Sequence, residues 1–330
     1  MILKKLIEKS IQRVANLLPV SLQEYIISYQ LPSKFQLEAT TACNLRCALC
    51  PTHETPRGYS YLEMSHLENI LRSCDGKVTQ VNFHILGEPL MAPNLFSLVK
   101  KCSEHGIHTH FSTNGMLIHK NVDPIFQSGL SNISIAIDGI EQEDYEKYRM
   151  GGNFKKVIKN IQTLVEEKQS RQAKTPTIDV KTVMFSYNED KEANVIQFLK
   201  SLGTDSFSLK RPNYSYSPNE SEKSETFLAQ VDYENTQRKY SRLINEKLLY
   251  RNQKVCPLLK TGHILSDGSV VACCVDHMGE TAFGNLNQKD FKGIWRSQEH
   301  RHIIRSFVDK KLDICKSCSL SLGTMNKKSN

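Results

Sequence analysis

Three cysteines lie within eight residues of this sequence, at Cys43, Cys47 and Cys50. Thiolates in such a C-x3-C-x2-C loop can bind three irons of a [4Fe–4S] cluster, which leaves the fourth iron open to a non-protein ligand. An open iron of this kind is a reaction site. The alternative is that the thiols are buried as small apolar side chains. The loop also contains Asn44 and Arg46 and is too polar for a core strand, so its spacing favours the cluster.

A second group of cysteines lies toward the carboxyl end. Cys256 is followed by Gly268 and Cys273 in a G-x4-C arrangement, and then by the pair Cys315 and Cys318. Four thiolates from a hairpin and a later C-x2-C can surround a closed iron–sulfur cluster, and they would equally suit a tetrahedral zinc ion. The residues by themselves leave both metals open.

The remaining three cysteines have no such spacing. Cys74 and Cys102 fall in helical patterns, where we expect them to pack in the core. Cys274 is a spare thiol beside Cys273, and adjacent residues of a strand face opposite sides. Whether Cys274 is a ligand stays open.

Composition sets the class of protein. The 330 residues are 39% hydrophobic and 24% charged, which is typical of a soluble globular protein. No apolar run is long enough to cross a bilayer, and Glu8 and Lys9 interrupt any signal-peptide core. These features predict a cytoplasmic protein, in which cysteines bind metals rather than form disulfides. The net charge of +8 is spread along the chain, so nucleic acid is not an expected partner.

The elements that must position these cysteines alternate in type from residue 35 onward. Helical patterns over Leu62–Arg72, Asn94–Glu104 and Phe154–Glu167 separate short β-rich runs. The six predicted strands are Phe35–Thr40, Gln80–Leu86, His108–Ser112, Ile133–Ile137, Ile178–Phe185 and Ser206–Lys210. Six βα units in series predict an α/β fold with a parallel sheet closed or nearly closed into a barrel. The first cysteine loop follows the first strand, at the end where such barrels carry their chemistry.

Four segments are predicted along the chain. Residues 1–34 contain an amphipathic helix over 2–18, residues 35–210 form the barrel, residues 211–255 a linker and a helix, and residues 256–330 a small metal-binding domain. Within the last segment, the pattern at Ser266 to Ser269 predicts a hairpin turn. A final helix is predicted over Phe291–Phe307, with Trp295 in a core contact.

The motifs after successive strands resemble those of the radical S-adenosylmethionine (radical SAM) enzymes. They are the Cys43–Cys50 loop, Leu86-Gly87-Glu88-Pro89, Ser112-Thr113-Asn114-Gly115 and Ile137-Asp138-Gly139. The second cysteine group, with residues 283–286 and 293–295, resembles the auxiliary-cluster regions called SPASM and Twitch. The resemblance implies a partial (β/α)6 TIM-type barrel with a small C-terminal iron–sulfur domain. It also implies a [4Fe–4S] cluster whose open iron binds SAM, reductive cleavage of SAM, and a 5′-deoxyadenosyl radical that removes a hydrogen atom from the substrate.

The resemblance also assigns cofactor-binding residues by position: Leu49, Gly87, Glu88, Pro89, Ser112, Asn114, Ser134, Asp138 and Arg149. Leu49 is expected to give an apolar wall for adenine, and Arg149 to pair with the cofactor carboxylate. Two positions depart from the family pattern, because Leu86 replaces a glycine and Ala136 replaces a serine. Ser134, on the same strand face as Ala136, is expected to substitute for that serine.

One auxiliary [4Fe–4S] cluster is expected, because no cysteine follows Cys318 to support a second. With four thiolates it has no open iron, so electron transfer is its expected role. This favours an oxidoreductase acting on a small polar metabolite, such as a sugar or an aminocyclitol, with flavodoxin or ferredoxin as external one-electron donor. The alternatives are a peptide maturase that forms thioether or carbon–carbon cross-links, and a non-enzymatic iron–sulfur protein. Weak candidates for the catalytic base are Lys210, Arg211, Asp276 and His277.

Overall fold

The computed structural model describes residues 19–210, 256–309 and 311–315. The predicted helix over residues 2–18, the linker and helix over 211–255, Arg211 and Cys318 lie outside the described residues. Within the described ranges, no helix is both long and apolar enough to cross a bilayer.

One mixed sheet organises the described residues. Its strands are β1 Lys34–Leu37, β2 Gln80–Asn82, β3 His108–Thr113, β4 Asn132–Ala136, β5 Thr177–Val183, β6 Ser206–Lys210, β7 Gly262–Ile264, β8 Ser269–Val271 and β9 Gly284–Asn285. The spatial order is β6-β5-β4-β3-β2-β1-β7-β8-β9. All neighbours from β6 to β7 are parallel, and β8 and β9 are antiparallel additions. Among the described strands β6 and β9 do not pair, so the predicted partial barrel is confirmed as open.

Helices follow the strands as the alternation predicts. They are α1 Val20–Tyr29, α2 Met64–Cys74, α3 Leu95–Glu104, α4 Val122–Gln127, α5 Gln142–Tyr148, α6 Phe154–Ser170, α7 Ser186–Glu189, α8 Glu192–Ser201, α9 Phe291–Trp295 and α10 Gln298–Val308. These helices pack against one side of the sheet. Phe35 and Leu37 of β1 are fully buried in the same cluster as Leu67 and Ile70 of α2. Burial of such side chains stabilises the fold by about 1.5–3 kcal/mol each.

The buried thiols and the tryptophan lie where the sequence predicts. Cys74 and Cys102 are fully buried in the main core, which confirms their packing role. Trp295 is 1% exposed, and its indole N–H donates to the backbone oxygens of Ile27 and Gln30. Its predicted core contact is therefore confirmed, and the contact ties the last helices to α1.

The prediction of a single helix over Phe291–Phe307 is wrong, because two separate helices occupy this segment. The chain leaves helical geometry after Trp295 and begins α10 at Gln298. Ser297 is the N-cap of α10, and its hydroxyl accepts a hydrogen bond from the backbone N–H of His300 at 3.1 Å. A serine cap satisfies an otherwise unpaired amide and favours a new helix start over continuation.

The predicted hairpin turn is confirmed and extends the barrel sheet. Gly268 has φ +85° and its N–H donates to the backbone oxygen of Leu265 at 3.0 Å. β7 then pairs in parallel with β1, with Phe35 opposite Gly262. A side chain at residue 262 would collide with the Phe35 ring, at 2.4 Å, so glycine permits this close pairing. The segment after residue 256 therefore shares its sheet with the barrel.

A buried ion pair fixes the hairpin turn to the barrel. The Arg57 guanidinium donates to both carboxylate oxygens of Glu38, each at 2.8 Å. Glu38 is fully buried and also accepts hydrogen bonds from the backbone N–H and the hydroxyl of Ser266. Arg57 donates through Nε to the backbone oxygen of His277. The pair thus joins the end of β1, the loop after the cysteines and the hairpin segment.

Breaking this pair from one side should be strongly destabilising. We expect Arg57→Met to lower the free energy of unfolding by about 3–5 kcal/mol, because the buried Glu38 carboxylate loses its counter-charge. Urea denaturation of the iron-loaded protein under argon, followed by circular dichroism, measures the change. The double variant Glu38→Gln/Arg57→Met should recover part of the loss.

The matched control is the same substitution at an exposed pair. Arg171 contacts Asp123 and Glu167 on the surface, so Arg171→Met should leave the denaturation midpoint unchanged. Equal midpoints for Arg57→Met and Arg171→Met would contradict a structural role for the buried pair.

Candidate active site

The first cysteine loop is held in place by backbone hydrogen bonds to the segment that ends α5. The N–H of Arg46 donates to the oxygen of Met150 at 3.1 Å, and that of Ala48 to the oxygen of Tyr148 at 3.0 Å. The N–H of Cys50 turns back to the oxygen of Cys47 at 3.1 Å. The loop follows β1 and lies at the carboxyl ends of the parallel strands, as its place in the sequence predicts.

Two thiols of the loop, Cys43 and Cys47, are buried in a way that disfavours their ionisation. Burial raises the pKa of Cys43 to about 12, and the charges of Glu88, Cys47 and Cys50 act in the same direction. Burial also raises the pKa of Cys47 to about 11, against the charge of Arg149. Thiolates packed together in this way need a cation, and the irons of a cluster supply it. Among the described residues, no three His, Cys, Asp or Glu side chains form a site for a single metal ion.

The Gly-Glu-Pro run fastens the start of this loop to β2 and β3. Gly87 has φ +72°, and the N–H of Glu88 donates to the backbone oxygen of Ala42 at 2.8 Å. The Glu88 carboxylate accepts from the Thr113 hydroxyl at 2.7 Å and from the Asn114 N–H at 2.8 Å. Burial raises the pKa of Glu88, and these two donors oppose the shift. Its carboxylate therefore holds neighbouring loops, and the predicted cofactor contacts of Gly87, Glu88 and Pro89 stay predictions.

Asn114 and Ser112 lie at the end of β3. The Asn114 amide donates to Asn44 Oδ1 in the cysteine loop at 2.9 Å, and its own oxygen accepts from the Met116 N–H at 3.0 Å. Asn114 thus positions the loop. Ser112 is partly exposed and in register with Ser134, and its cofactor contact remains a prediction.

Asp138 and Arg149 form a buried pair against the cysteine loop. Arg149 Nε lies 2.5 Å from Asp138 Oδ2, and Asp138 Oδ1 accepts from the Val183 N–H at 2.6 Å. Arg149 Nη1 lies 3.7 Å from Cys47 Sγ. Both Asp138 oxygens have protein donors, so Asp138 orients Arg149, and its predicted cofactor contact stays a prediction. The Arg149 guanidinium lies beside Cys47, and its predicted pairing with the cofactor carboxylate stays a prediction.

An apolar cluster surrounds Leu49, the predicted adenine wall. Leu49 and Phe185 are buried together, with Tyr148, Val183 and Tyr187 packed against them. The Phe185 and Tyr148 rings lie 5.0 Å apart between centroids. Sequence reasoning missed the aromatic members, although Phe185 closes a predicted strand and Tyr148 precedes Arg149.

The prediction that Ser134 replaces the family serine at position 136 is not supported by its contacts. Ser134 is 1% exposed, and its hydroxyl lies 2.9 Å from His110 Nε2 and 3.2 Å from Asp179 Oδ2. Both contacts lie along the sheet, because Ser134 is in register with Asp179 on β5. Its hydroxyl is committed to these neighbours.

The candidate bases differ in their surroundings. Asp276 is 1% exposed, and its two oxygens accept four hydrogen bonds from Gly279, Glu280 and Thr281. Its assignment as a candidate base is therefore corrected to a loop-holding role. The backbone oxygen of His277 accepts from Arg57. Lys210, at the exposed end of β6, lies near Lys181, and burial together with the Lys210 charge lowers the pKa of Lys181.

The described thiols of the second group lie near the hairpin. Cys256 precedes β7 and Cys273 follows β8, so both lie at the hairpin end remote from its turn. A hydrogen bond with Cys274 and burial raise the pKa of Cys273, and the Cys256 charge adds to the shift. Cys315 ends the described chain, and Cys318 lies outside it. Because β7 is parallel to β1, this group and the first loop lie toward opposite ends of the sheet.

Two family models match the chain. A model of the radical SAM superfamily matches residues 37–199, and a model of the SPASM iron–sulfur cluster-binding domain matches residues 256–319. Among curated relatives, GTP 3',8-cyclase of Chlorobaculum tepidum is 27% identical over 149 residues, which cover 44% of this chain and 42% of that enzyme. The chain thus matches less than half of that enzyme's length.

Solved structures share the fold over most of the chain. Streptococcus suis SuiB bound to its precursor peptide SuiA has a TM-score of 0.62 and 18% identity, covering 88% of this chain and 70% of SuiB. BtrN in complex with AdoMet and 2-DOIA has a TM-score of 0.51 and 16% identity, covering 88% of this chain and 94% of BtrN. At these identities the likeness establishes the fold alone.

Proposed function

Because this chain belongs to the radical SAM superfamily and carries a SPASM iron–sulfur region, we propose that it is an oxidoreductase acting on a small, hydroxyl-bearing molecule. As an enzyme of this superfamily it uses a [4Fe–4S] cluster, SAM and an auxiliary iron–sulfur cluster. When bound, these groups supply a 5′-deoxyadenosyl radical and an acceptor for one electron. The residues of the chain determine which substrate is bound next to these cofactors.

We assign the open-iron cluster to Cys43, Cys47 and Cys50. Arg149 lies beside Cys47, and its guanidinium suits the cofactor carboxylate. The apolar cluster around Leu49 and Phe185 suits the adenine ring. These groups all lie at the carboxyl ends of the strands, so they can hold SAM on the barrel side of the cysteine loop.

The proposed substrate class rests on one observation, which is that the inner face of the sheet is polar. Here "inner face" means the side of β1–β6 opposite to the helices, which also carries the apolar residues Ala136 and Val183. Its polar residues are Gln36, Asn82, His110, Ser134, Asp179, Lys181 and Ser208, with His84, just after β2, against His110. Apart from buried Ser134, they are all partly exposed. The residues that alternate with them, such as Phe35, Phe111 and Ile133, are fully buried against the helices.

Two buried atoms on this face lack a partner within the part of the chain that the structure describes. They are Gln36 Oε1 and His84 Nδ1. Buried polar atoms of this kind cost about 1–3 kcal/mol unless a hydrogen bond satisfies them. Because these two atoms are closed off from solvent, the case for a ligand with several hydroxyl groups rests on the partly exposed polar side chains beside them, which offer both donors and acceptors. The inner face therefore favours a polar substrate.

The auxiliary cluster is assigned to Cys256, Cys273, Cys315 and Cys318. With four thiolates it has no open iron, so we propose that it takes an electron from the substrate radical. An external donor such as flavodoxin or ferredoxin would reduce the first cluster.

A screen with defined compounds tests this proposal. Reconstituted, dithionite-reduced enzyme with SAM is incubated with myo-inositol, glucosamine or GTP, each deuterated at carbon, or with a short cysteine-containing peptide. We expect one hydroxylated compound to transfer deuterium to 5′-deoxyadenosine and to gain a carbonyl group, both read by mass spectrometry. Turnover of the peptide alone would replace the proposal by peptide maturation, the kind of substrate bound by SuiB.

A further inference from the structure

A chain of hydrogen bonds crosses three strands on the inner face. His110 Nε2 lies 2.9 Å from the Ser134 hydroxyl, which lies 3.2 Å from Asp179 Oδ2. A carboxylate only accepts hydrogen bonds, so Ser134 donates to Asp179 and accepts from His110. His110 therefore carries its proton on Nε2, and its Nδ1 is the acceptor nitrogen. Asp179 is itself fixed by the Ser206 hydroxyl at 2.9 Å.

The surroundings of His110 keep its ring neutral. Burial lowers the pKa of His110 to about 3, and the charges of His84, Lys181 and His108 act in the same direction. The His84 ring stands edge-on to it, with centroids 5.1 Å apart. On the other side the Asp179 carboxylate, which lies 3.8 Å from Lys181 Nζ, contacts the ring through the Ser134 hydroxyl. The neutral ring is thus a weak base: it takes up a proton at Nδ1 as the substrate hydroxyl is deprotonated and passes that proton on to water rather than keeping it.

We propose that His110 is the proton acceptor in the oxidation, with Ser134 and Asp179 as positioning residues. The inference rests on the proposed function. The substrate carbon gives a hydrogen atom to the 5′-deoxyadenosyl radical, its hydroxyl gives a proton to His110 Nδ1, and the remaining electron passes to the auxiliary cluster. The C–OH group thereby becomes C=O, and all atoms and electrons are accounted for. Asp179 then faces the imidazolium through the Ser134 hydroxyl and stabilises its charge.

Hydrogen-atom removal and deprotonation can be measured separately. The probe is the hydroxylated compound from the screen that is turned over fastest, deuterated at carbon. For His110→Asn we expect deuterium transfer to 5′-deoxyadenosine to stay within about threefold, while carbonyl formation falls about 10²-fold or more, the usual share of a general base. Ser134→Ala should reduce carbonyl formation less, and Ser134→Thr, which keeps the hydroxyl, should restore it. If His110→Asn lowers both readouts equally, His110 only binds the substrate and the inference is overturned.

A second measurement needs no substrate. Nitrogen-15 NMR of histidine-labelled holoenzyme should show His110 as the neutral Nε2–H tautomer at pH 7. Asp179→Asn should change that signal, and Asp205→Asn, which alters a carboxylate on the outer end of the same strand pair, should not. A cationic His110 or the Nδ1–H tautomer would overturn the relay.

The two proposals fail in different ways. If His110→Asn oxidises the probe at the wild-type rate, the inference falls and the proposed function stands. If the wild-type enzyme oxidises no hydroxylated compound, the proposed function falls, and the proton-acceptor role falls with it whatever the NMR tautomer shows.

Discussion

We expect replacement of Cys43, Cys47 and Cys50 by alanine to abolish reductive cleavage of SAM. In the proposed assignment these three thiolates attach the cluster whose open iron binds SAM, and no other described cysteine lies in this loop. The variant should keep about four of about eight irons per chain, because the assigned auxiliary ligands are untouched. Liquid chromatography of 5′-deoxyadenosine and colorimetric iron analysis give the two readouts.

The matched control removes a thiol that lies in the core. Cys102 is fully buried among apolar side chains, so Cys102→Ala should keep all the iron and wild-type cleavage. If cleavage survived the triple substitution, the open-iron cluster would have to be bound elsewhere. If all iron were lost instead, the two cysteine groups would not bind separate clusters.

The second large effect is expected from one methyl group at Gly87. An alanine Cβ there would lie 2.1 Å from the backbone oxygen of Thr40, and φ is +72°. The positive φ costs about 1–2 kcal/mol, and overpacking against rigid backbone costs about 1–3 kcal/mol more. We therefore expect Gly87→Ala to lower the free energy of unfolding by about 3 kcal/mol or more. It should also reduce iron loading, because the run containing Gly87 holds the start of the cysteine loop.

The same substitution at Gly76 separates the cost of the positive φ from the cost of the close contact. This residue has nearly the same backbone angle, φ +71°, but an added Cβ would meet nothing within 4 Å. Gly76→Ala should therefore show only the conformational cost of about 1–2 kcal/mol, with full iron loading. Denaturant unfolding and iron analysis of both variants measure the difference. Equal losses of stability would mean that the close approach to Thr40 contributes nothing.

The order of strands and helices along the chain could be predicted because the patterns that indicate it involve residues close in sequence. Alternating patterns located strands and helices, and cysteine spacing located the loop after β1. These predictions depend on residues that are close in sequence, or on the rule that parallel strands end at one edge.

Other features depend on contacts between distant parts of the chain. The pairing of β7 with β1 joins Phe35 to Gly262, and no local pattern signals it. The roles of Asp276 and Ser134 depend on which neighbours their oxygen atoms meet, which a strand-face argument does not reveal. Asp276 is a candidate base only because its segment is expected near the barrel mouth. Its carboxylate oxygens instead accept hydrogen bonds within its own loop.

The inner face was missed for a similar reason. His84 follows β2, His110 lies on β3 and Asp179 on β5, and each alone is an ordinary polar residue of an alternating pattern. Only the register of β3, β4 and β5 brings His110, Ser134 and Asp179 into one hydrogen-bonded chain. The signal available beforehand was the period of two, which places all of these side chains on one face.

The most direct test of the account is anaerobic turnover of SAM by the reconstituted wild-type chain. With about eight irons per chain and excess dithionite, the account predicts that SAM is converted to methionine and 5′-deoxyadenosine in equal amounts. The same assay on the triple cysteine variant gives the background. A fully iron-loaded, reduced enzyme that leaves SAM unchanged would contradict the account.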